Sequence, residues 1–263
     1  MLELLLIYIV AGALSGTMAG LLGVGGGIVI VPALLLALAL EGVAPGVVMH
    51  LAVGTSLAVI VFTSLSSIRA HHRHAAVLWP VVARITPGIL IGALLGAAVA
   101  DAMSATLLRT SFGGFALLLA ANLGFGRPPR PHRKLPDTAG LTPIGVIIGA
   151  ISALVGVGGG SMSVPFMIWC NVSIRQAVAT SAAIGFPIAV GGSIGFVVAG
   201  LGDPALPRFA LGYIYLPGGL LVAATSVLFA PLGARIAHTV DPRWLRYGFA
   251  LLLLVVGTRM LLG

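Results

Sequence analysis

Two stretches decide how this chain is read: Gly23-Val24-Gly25-Gly26-Gly27-Ile28-Val29-Ile30-Val31-Pro32, and Gly156-Val157-Gly158-Gly159-Gly160-Ser161-Met162-Ser163-Val164-Pro165. Seven of the ten positions are identical, at an offset of 133. The same offset carries Gly12, Gly16 and Gly20 onto Gly145, Gly149 and Ala153. Further along, Thr55-Ser56 resembles Thr180-Ser181, Pro87-Gly88 resembles Pro217-Gly218, and Leu108-Arg109 resembles Leu245-Arg246. A kept order of matches marks an internal repeat. The chain therefore divides into a first half, 1–123, and a second half, 139–263. A basic linker, 124–138, joins them.

The sequence around these stretches is apolar. Of 263 residues, 59% are hydrophobic and 8% charged, where a soluble domain carries about 25% charged residues. Such a chain cannot cover a surface that faces water. Its apolar runs are continuous, as spanning helices of about 20 residues require, and do not alternate as barrel strands do. The predicted fold is an all-α integral membrane protein. Each half reads as a helix (2–22; 140–155), the glycines, and a short helix (28–40; 161–171). Three longer helices follow (46–65, 77–100 and 104–123; 175–199, 209–237 and 244–262). The short helices cannot span the hydrocarbon core comfortably. They read as half-helices that meet the glycines inside the membrane.

Charge sets the expected orientation. The net charge of +8 falls in the gaps between apolar runs, which marks topology rather than a nucleic-acid face. Arg69 and Arg73, the linker residues Arg127, Arg130, Arg133 and Lys134, Arg175, and Arg243 mark cytoplasmic gaps. The gaps at Glu41, Asp101 and Asp203 then face outward. Under this scheme the two halves are inverted relative to each other, a design in which substrate sites lie where broken helices meet near the midplane. A parallel arrangement would place the Asp203–Arg208 gap inside. The single Cys170 excludes an internal disulfide. The N-terminal run lacks the basic start and cleavage end of a signal peptide.

A glycine-rich break followed by Val-Pro, once in each half, resembles the TauE/SafE family, also called the sulfite exporter or DUF81 family. The stretch Gly54-Thr55-Ser56-Leu57 running to His71-His72-Arg73-His74-Ala75-Ala76-Val77 resembles that family's first half. The resemblance covers nearly the whole chain. It implies a multi-pass permease of the bacterial plasma (inner) membrane, moving sulfite or a small organosulfonate.

The residues themselves suggest where such an anion binds. A helix beginning inside the membrane leaves N–H groups without an intrahelical partner and carries partial positive charge at that end. Gly25, Gly26 and Gly27, with Gly158, Gly159 and Gly160, are candidates to cradle an anion. The bland alternative is that glycine permits close helix crossing, as the spacings Gly12-x3-Gly16-x3-Gly20 and Gly88-x3-Gly92-x3-Gly96 do. Thr55, Ser56, Thr180 and Ser181 are candidate donors. They could instead bond back to their own helix carbonyls. Ser161, like Ser163, occurs only in the second copy, so the site should be asymmetric.

None of the six acids lies deep in a predicted span. A carboxylate proton relay is therefore not visible, and a metal site is hard to build. No cofactor is expected. Arg84 lies within a span and can snorkel to the interface. Arg109 and Arg246 read as anchors, the cluster His71, His72 and His74 as a basic surface loop, and His50 has no evident partner. Cys170 and Trp169 end the second short helix.

No nucleophile, base or metal set is apparent at membrane depth, so an enzyme is not expected. The expected function is a secondary anion transporter working by alternating access. A channel-like facilitative pore is the alternative. Coupling to a proton or other ion, and assembly as a homodimer, stay open on the sequence alone.

Overall fold

The computed structural model describes residues 2–23, 25–72, 76–126, 134–236 and 242–262, without the side chains of residue 22 and residues 242–246. The expectations for Arg73, His74, Arg127, Arg130 and Arg133, and for the side chains of Arg243, Leu245 and Arg246, lie outside these residues.

Ten helices are seen among the described residues. The first half contains α1 (Leu2–Leu22), α2 (Gly27–Leu40), α3 (Val48–His72), α4 (Trp79–Asp101) and α5 (Ala105–Phe125). The second contains α6 (Thr138–Val155), α7 (Gly160–Trp169), α8 (Ile174–Ala199), α9 (Leu216–Ile236) and α10 (Pro242–Leu262). Seven of them, α1, α3, α4, α5, α6, α8 and α9, are long and apolar enough to cross a membrane. Large apolar side chains such as Leu14, Ile91, Leu118 and Leu228 stand exposed on the outer surface, the arrangement that a lipid solvent favours. The protein is an all-helical membrane protein with a single two-stranded hairpin among the described residues.

The short helices are 14 and 10 residues long. Each carries a proline, Pro32 or Pro165, at its sixth position. Proline has no N–H, so the carbonyls of Ile28 and Ser161 lose their helical donor. Glycine opens both. Gly25 and Gly26 have φ of +78° and +76°, and Gly156 has +73°, a region that other residues enter only with strain.

Four sequence expectations are corrected. The helix expected from 209 begins only at Leu216. Residues 210–215 form the hairpin β1 (Ala210–Leu211) and β2 (Ile214–Tyr215). Positive φ at Phe209 and Gly212 prevents a helix there. The short helix expected to reach 171 ends at Trp169, where Asn171 turns with φ +65°. α3 runs to His72, so Arg69, His71 and His72 occupy its last turn instead of a loop. Basic side chains are favourable there, against the negative end of the helix. His50 does have partners, given below.

The helices pair across the halves. α1 packs on α9, and α6 packs on α4. In both pairs glycines let the backbones touch. Methyl groups placed on Gly16 and Gly92 would stand 2.8 Å from the Cα atoms of Ser226 and Val146. In sequence order Gly88, Gly92 and Gly96 meet Thr142, Val146 and Ala150, so α4 and α6 run parallel. Contacts of Gly12, Gly16 and Gly20 with Thr225, Ser226 and Gly233 show the same for α1 and α9. The repeat-related pairs run the other way. Gly54 of α3 meets Phe196 of α8, and Leu57 meets Gly192. Arg109 of α5 donates to the Met260 carbonyl of α10 at 3.0 Å, while Leu117 meets Gly257. Thus α3 and α8 are antiparallel, and so are α5 and α10.

Candidate functional site

The two glycine breaks meet each other in the middle of this packing. A methyl group on Gly25 would stand 3.1 Å from Gly158 Cα and 3.1 Å from a methyl of Ile60. One on Gly27 would collide with the Gly156 carbonyl oxygen and stand 2.9 Å from Val157 Cα. Backbone therefore touches backbone at the crossing, which only glycine allows. On the other side Gly26 lies against Ser15, whose Cβ would be 2.8 Å from an added methyl. Gly159 adopts ordinary helical φ and precedes α7. A methyl there would meet side chains alone, the flexible end of Ile188 at 2.7 Å and a methyl of Ile184 at 3.1 Å.

Four hydroxyls flagged from the sequence bridge the halves. Ser56 on α3 donates to the Gly156 carbonyl of the second break at 2.8 Å. Its counterpart Ser181 on α8 donates to the Gly23 carbonyl of the first break at 3.2 Å. Thr55 accepts from the Tyr215 N–H at 2.8 Å, and Thr180 accepts from the Leu78 N–H at 3.0 Å. Each serine closes the other half's break. Each threonine receives an N–H from the other half, at the entry to α9 or α4. The structure thus brings Ser56 and Ser181 to the glycines, and sets Thr55 and Thr180 at the starts of neighbouring helices. All four are buried.

The second break carries extra polar groups. Ser163 lies 2.8 Å from the Gly159 carbonyl and 2.9 Å from Ser181 Oγ. The buried hydroxyl oxygen of Ser161 has no hydrogen-bond partner among the described residues. The asymmetry that these two serines suggested is therefore present in the bonding. Elsewhere, Cys170 is buried and Trp169 partly exposed. Arg84 is exposed on α4.

At one end of the helices the acids are tied down. The Glu41 carboxylate accepts from the hydroxyls of Tyr8, at 2.6 Å, and Tyr215. This joins α1, α2 and the hairpin. Burial first, then the bond to Glu41, pushes the Tyr215 hydroxyl up to about 12. Tyr213 rises to about 12 through burial and the neighbouring Asp101 and Asp203. Tyr213 stacks on buried His50, with ring centroids 5.1 Å apart. His50 Nε2 lies 3.0 Å from the Ala100 carbonyl and 3.1 Å from that of Met103. Sequence reasoning missed these partners because backbone carbonyls leave no sequence signature. It also missed a small cavity beside the crossing, lined in part by Gly23, Gly25, Ser64 and Ser67.

Apolar helices long enough to span, packed around two broken ones, define a multi-spanning helical membrane protein. Its family is equally clear: the chain belongs to the sulfite exporter TauE/SafE family, whose model matches residues 8–260. A probable membrane transporter protein of Haemophilus influenzae is 34% identical over the full length of both chains. One from Methanocaldococcus jannaschii is 31% identical, over 99% of this chain and 97% of its own. The probable membrane transporter protein YunE of Bacillus subtilis is 32% identical over 74% of this chain and 78% of its own. No solved structure matches the chain.

Proposed function

We propose that the protein is a secondary transporter that carries a small anion, sulfite or a small organosulfonate, across the bacterial inner membrane by alternating access. The anion binds where the two glycine breaks cross. Membership of a family described as sulfite exporters supports the substrate class. One observation carries the site: Gly25 and Gly158 meet backbone to backbone, with a short helix beginning just beyond each break. Each helix start offers N–H donors and a positive dipole end, so an anion is held without a full positive charge.

The antiparallel course of α3 against α8, and of α5 against α10, supports an inverted repeat. The two halves form one membrane-embedded unit, with the linker in the cytoplasm. In such a unit the halves can rock about a fixed central site. The candidate contacts are Gly25, Gly26, Gly27, Ser56, Gly158, Gly159, Gly160, Ser161 and Ser181. Thr55 and Thr180 act on them by fixing the neighbouring helix starts. Transport, not catalysis, is the activity.

Proteoliposomes test the reading. The purified protein should give saturable sulfite flux, with competition by small sulfonates and little by chloride, and should support sulfite counterflow. Flux that rises linearly with concentration and passes current without counterflow would replace the carrier with a pore. No flux of any of these anions would overturn the assignment.

A further inference from the structure

The pseudo-symmetry of the halves fails beyond the serines of the second break. Beside the crossing lies a cavity of about 10 Å³, close to the minimum that holds one water. Its walls include Ala19 from α1, Gly23 and Gly25 from the first break, Ala182 and Gly185 from α8, and Ser64 and Ser67 from α3. The repeat-related residues around the second break are Ser152, Gly156 and Gly158, then Leu57 and Ile60, then Ala189 and Gly192. Leu57 and Ile60 are large where Ala182 and Gly185 are small. The Leu57 side chain reaches Gly192 and would stand 2.8 Å from a methyl placed there. One side of the crossing is plugged, and the other is open and carries hydroxyls.

Those hydroxyls have the properties of ligand donors. Ser67 is 1% exposed, and its hydroxyl oxygen has no hydrogen-bond partner among the described residues. An unpaired buried hydroxyl is costly to keep, so its place in a cavity wall calls for an explanation. Ser64 donates to the Val61 carbonyl of its own helix at 3.0 Å, a bond that a rotation about χ1 exchanges for another acceptor. Ile60, Ser64 and Ser67 follow one another on one face of α3, and Ile60 is the residue that touches Gly25.

We propose that Ser64 and Ser67 form the oxyanion subsite of the transporter, on the first-break side of the crossing, with Ser67 as the principal donor. This rests on the anion-carrier reading above. The ligand class is a small oxyanion or sulfonate head, whose several oxygen acceptors suit two neutral hydroxyls together with break N–H groups. Sulfite has four heavy atoms and exceeds a one-water cavity. It enters only when the α1 and α8 walls draw apart, which couples occupancy to the motion of the halves.

The test compares sulfite flux and thermal melting for four variants in proteoliposomes and detergent. Ser67→Ala should raise KM about ten- to hundred-fold, the size of a lost hydrogen bond to a charged group. Its melting temperature should stay level or rise, because no bond within the protein is lost. Ser64→Ala should raise KM less. Ser67→Val, which fills the cavity, should abolish saturable flux while the protein stays monodisperse. Ser152→Ala removes another buried hydroxyl without a partner, outside this cavity, and should leave KM unchanged. Wild-type KM in Ser67→Ala, or an equal rise in Ser152→Ala, overturns the subsite but leaves the carrier standing. Absence of sulfite flux in the wild-type protein overturns both.

Discussion

Replacing Gly27 with alanine puts the meeting of the two breaks to a quantitative test. Gly27 is the first residue of α2 and has no positive φ, so alanine fits its backbone. Taken alone, the change should stabilise the helix by about 0.5–1 kcal/mol, since alanine loses less conformational freedom than glycine. The added methyl, however, would collide with the Gly156 carbonyl oxygen and stand 2.9 Å from Val157 Cα. Both are backbone atoms, which cannot rotate aside. Overpacking of this kind costs about 1–3 kcal/mol, and rigid neighbours place it in the upper part of that range. The net expectation is a loss of about 1–2 kcal/mol, or a melting temperature lower by a few degrees. Gly114→Ala is the matched control. Gly114 is also helical, but nothing lies within 4 Å of its added methyl. That variant should melt at or above the wild-type temperature. Tryptophan-fluorescence melting of the detergent-purified proteins reads both. If Gly27→Ala is as stable as Gly114→Ala, the breaks do not touch and the crossing is wrong.

Three further outcomes are expected. Ser56→Ala and Ser181→Ala each leave a buried break carbonyl without its donor and should cost about 1–3 kcal/mol in thermal or denaturant unfolding; two neutral results would show that these hydroxyls do not hold the breaks. The Tyr215 hydroxyl, raised to about 12 against about 10 when unfolded, contributes stability that is full below pH 10 and lost as pH rises towards 12. Glu41→Gln removes the charge that helps to raise it, so phenolate absorbance should appear at lower pH, and an unshifted titration would refute the Tyr215–Glu41 bond. For orientation, Ala205→Cys in a Cys170→Ala background should react with an impermeant thiol reagent from the periplasmic side; labelling only from the cytoplasmic side would contradict the inverted arrangement.

Much of the fold is legible in the sequence because lipid imposes a simple rule. Backbone groups must be satisfied within each span, so long apolar runs become helices, and α1, α4, α5 and α8 fall close to the predicted limits. The hairpin before α9 escapes because positive φ at Phe209 has no reliable residue signature. At the site, the doubled glycines mark the crossing correctly as a place where backbone comes close. Roles of the hydroxyls are less legible. Ser56 and Ser181 offered two readings in the sequence, ligand or own helix, and the structure adds a third. They donate across the halves to carbonyls far away in sequence. Ser64 and Ser67 are hidden for the opposite reason. Their counterparts Ala189 and Gly192 carry no hydroxyl, so a search for repeated residues passes over them. The repeat finds what the halves share, while the cavity exists because they differ.

The most direct test of the account is sulfite flux through reconstituted protein in which the two breaks are altered singly and then together. Gly159→Ala meets side chains of Ile188 and Ile184 and no backbone, so it should fold and show weakened, still saturable flux. Gly26→Val places a β-branched residue at φ +76° against Ser15. Combined with Gly159→Val, it should abolish flux in protein that still inserts and elutes as a single species. Saturable flux at wild-type rate and KM in that double variant would contradict an anion site at the crossing of the glycine breaks.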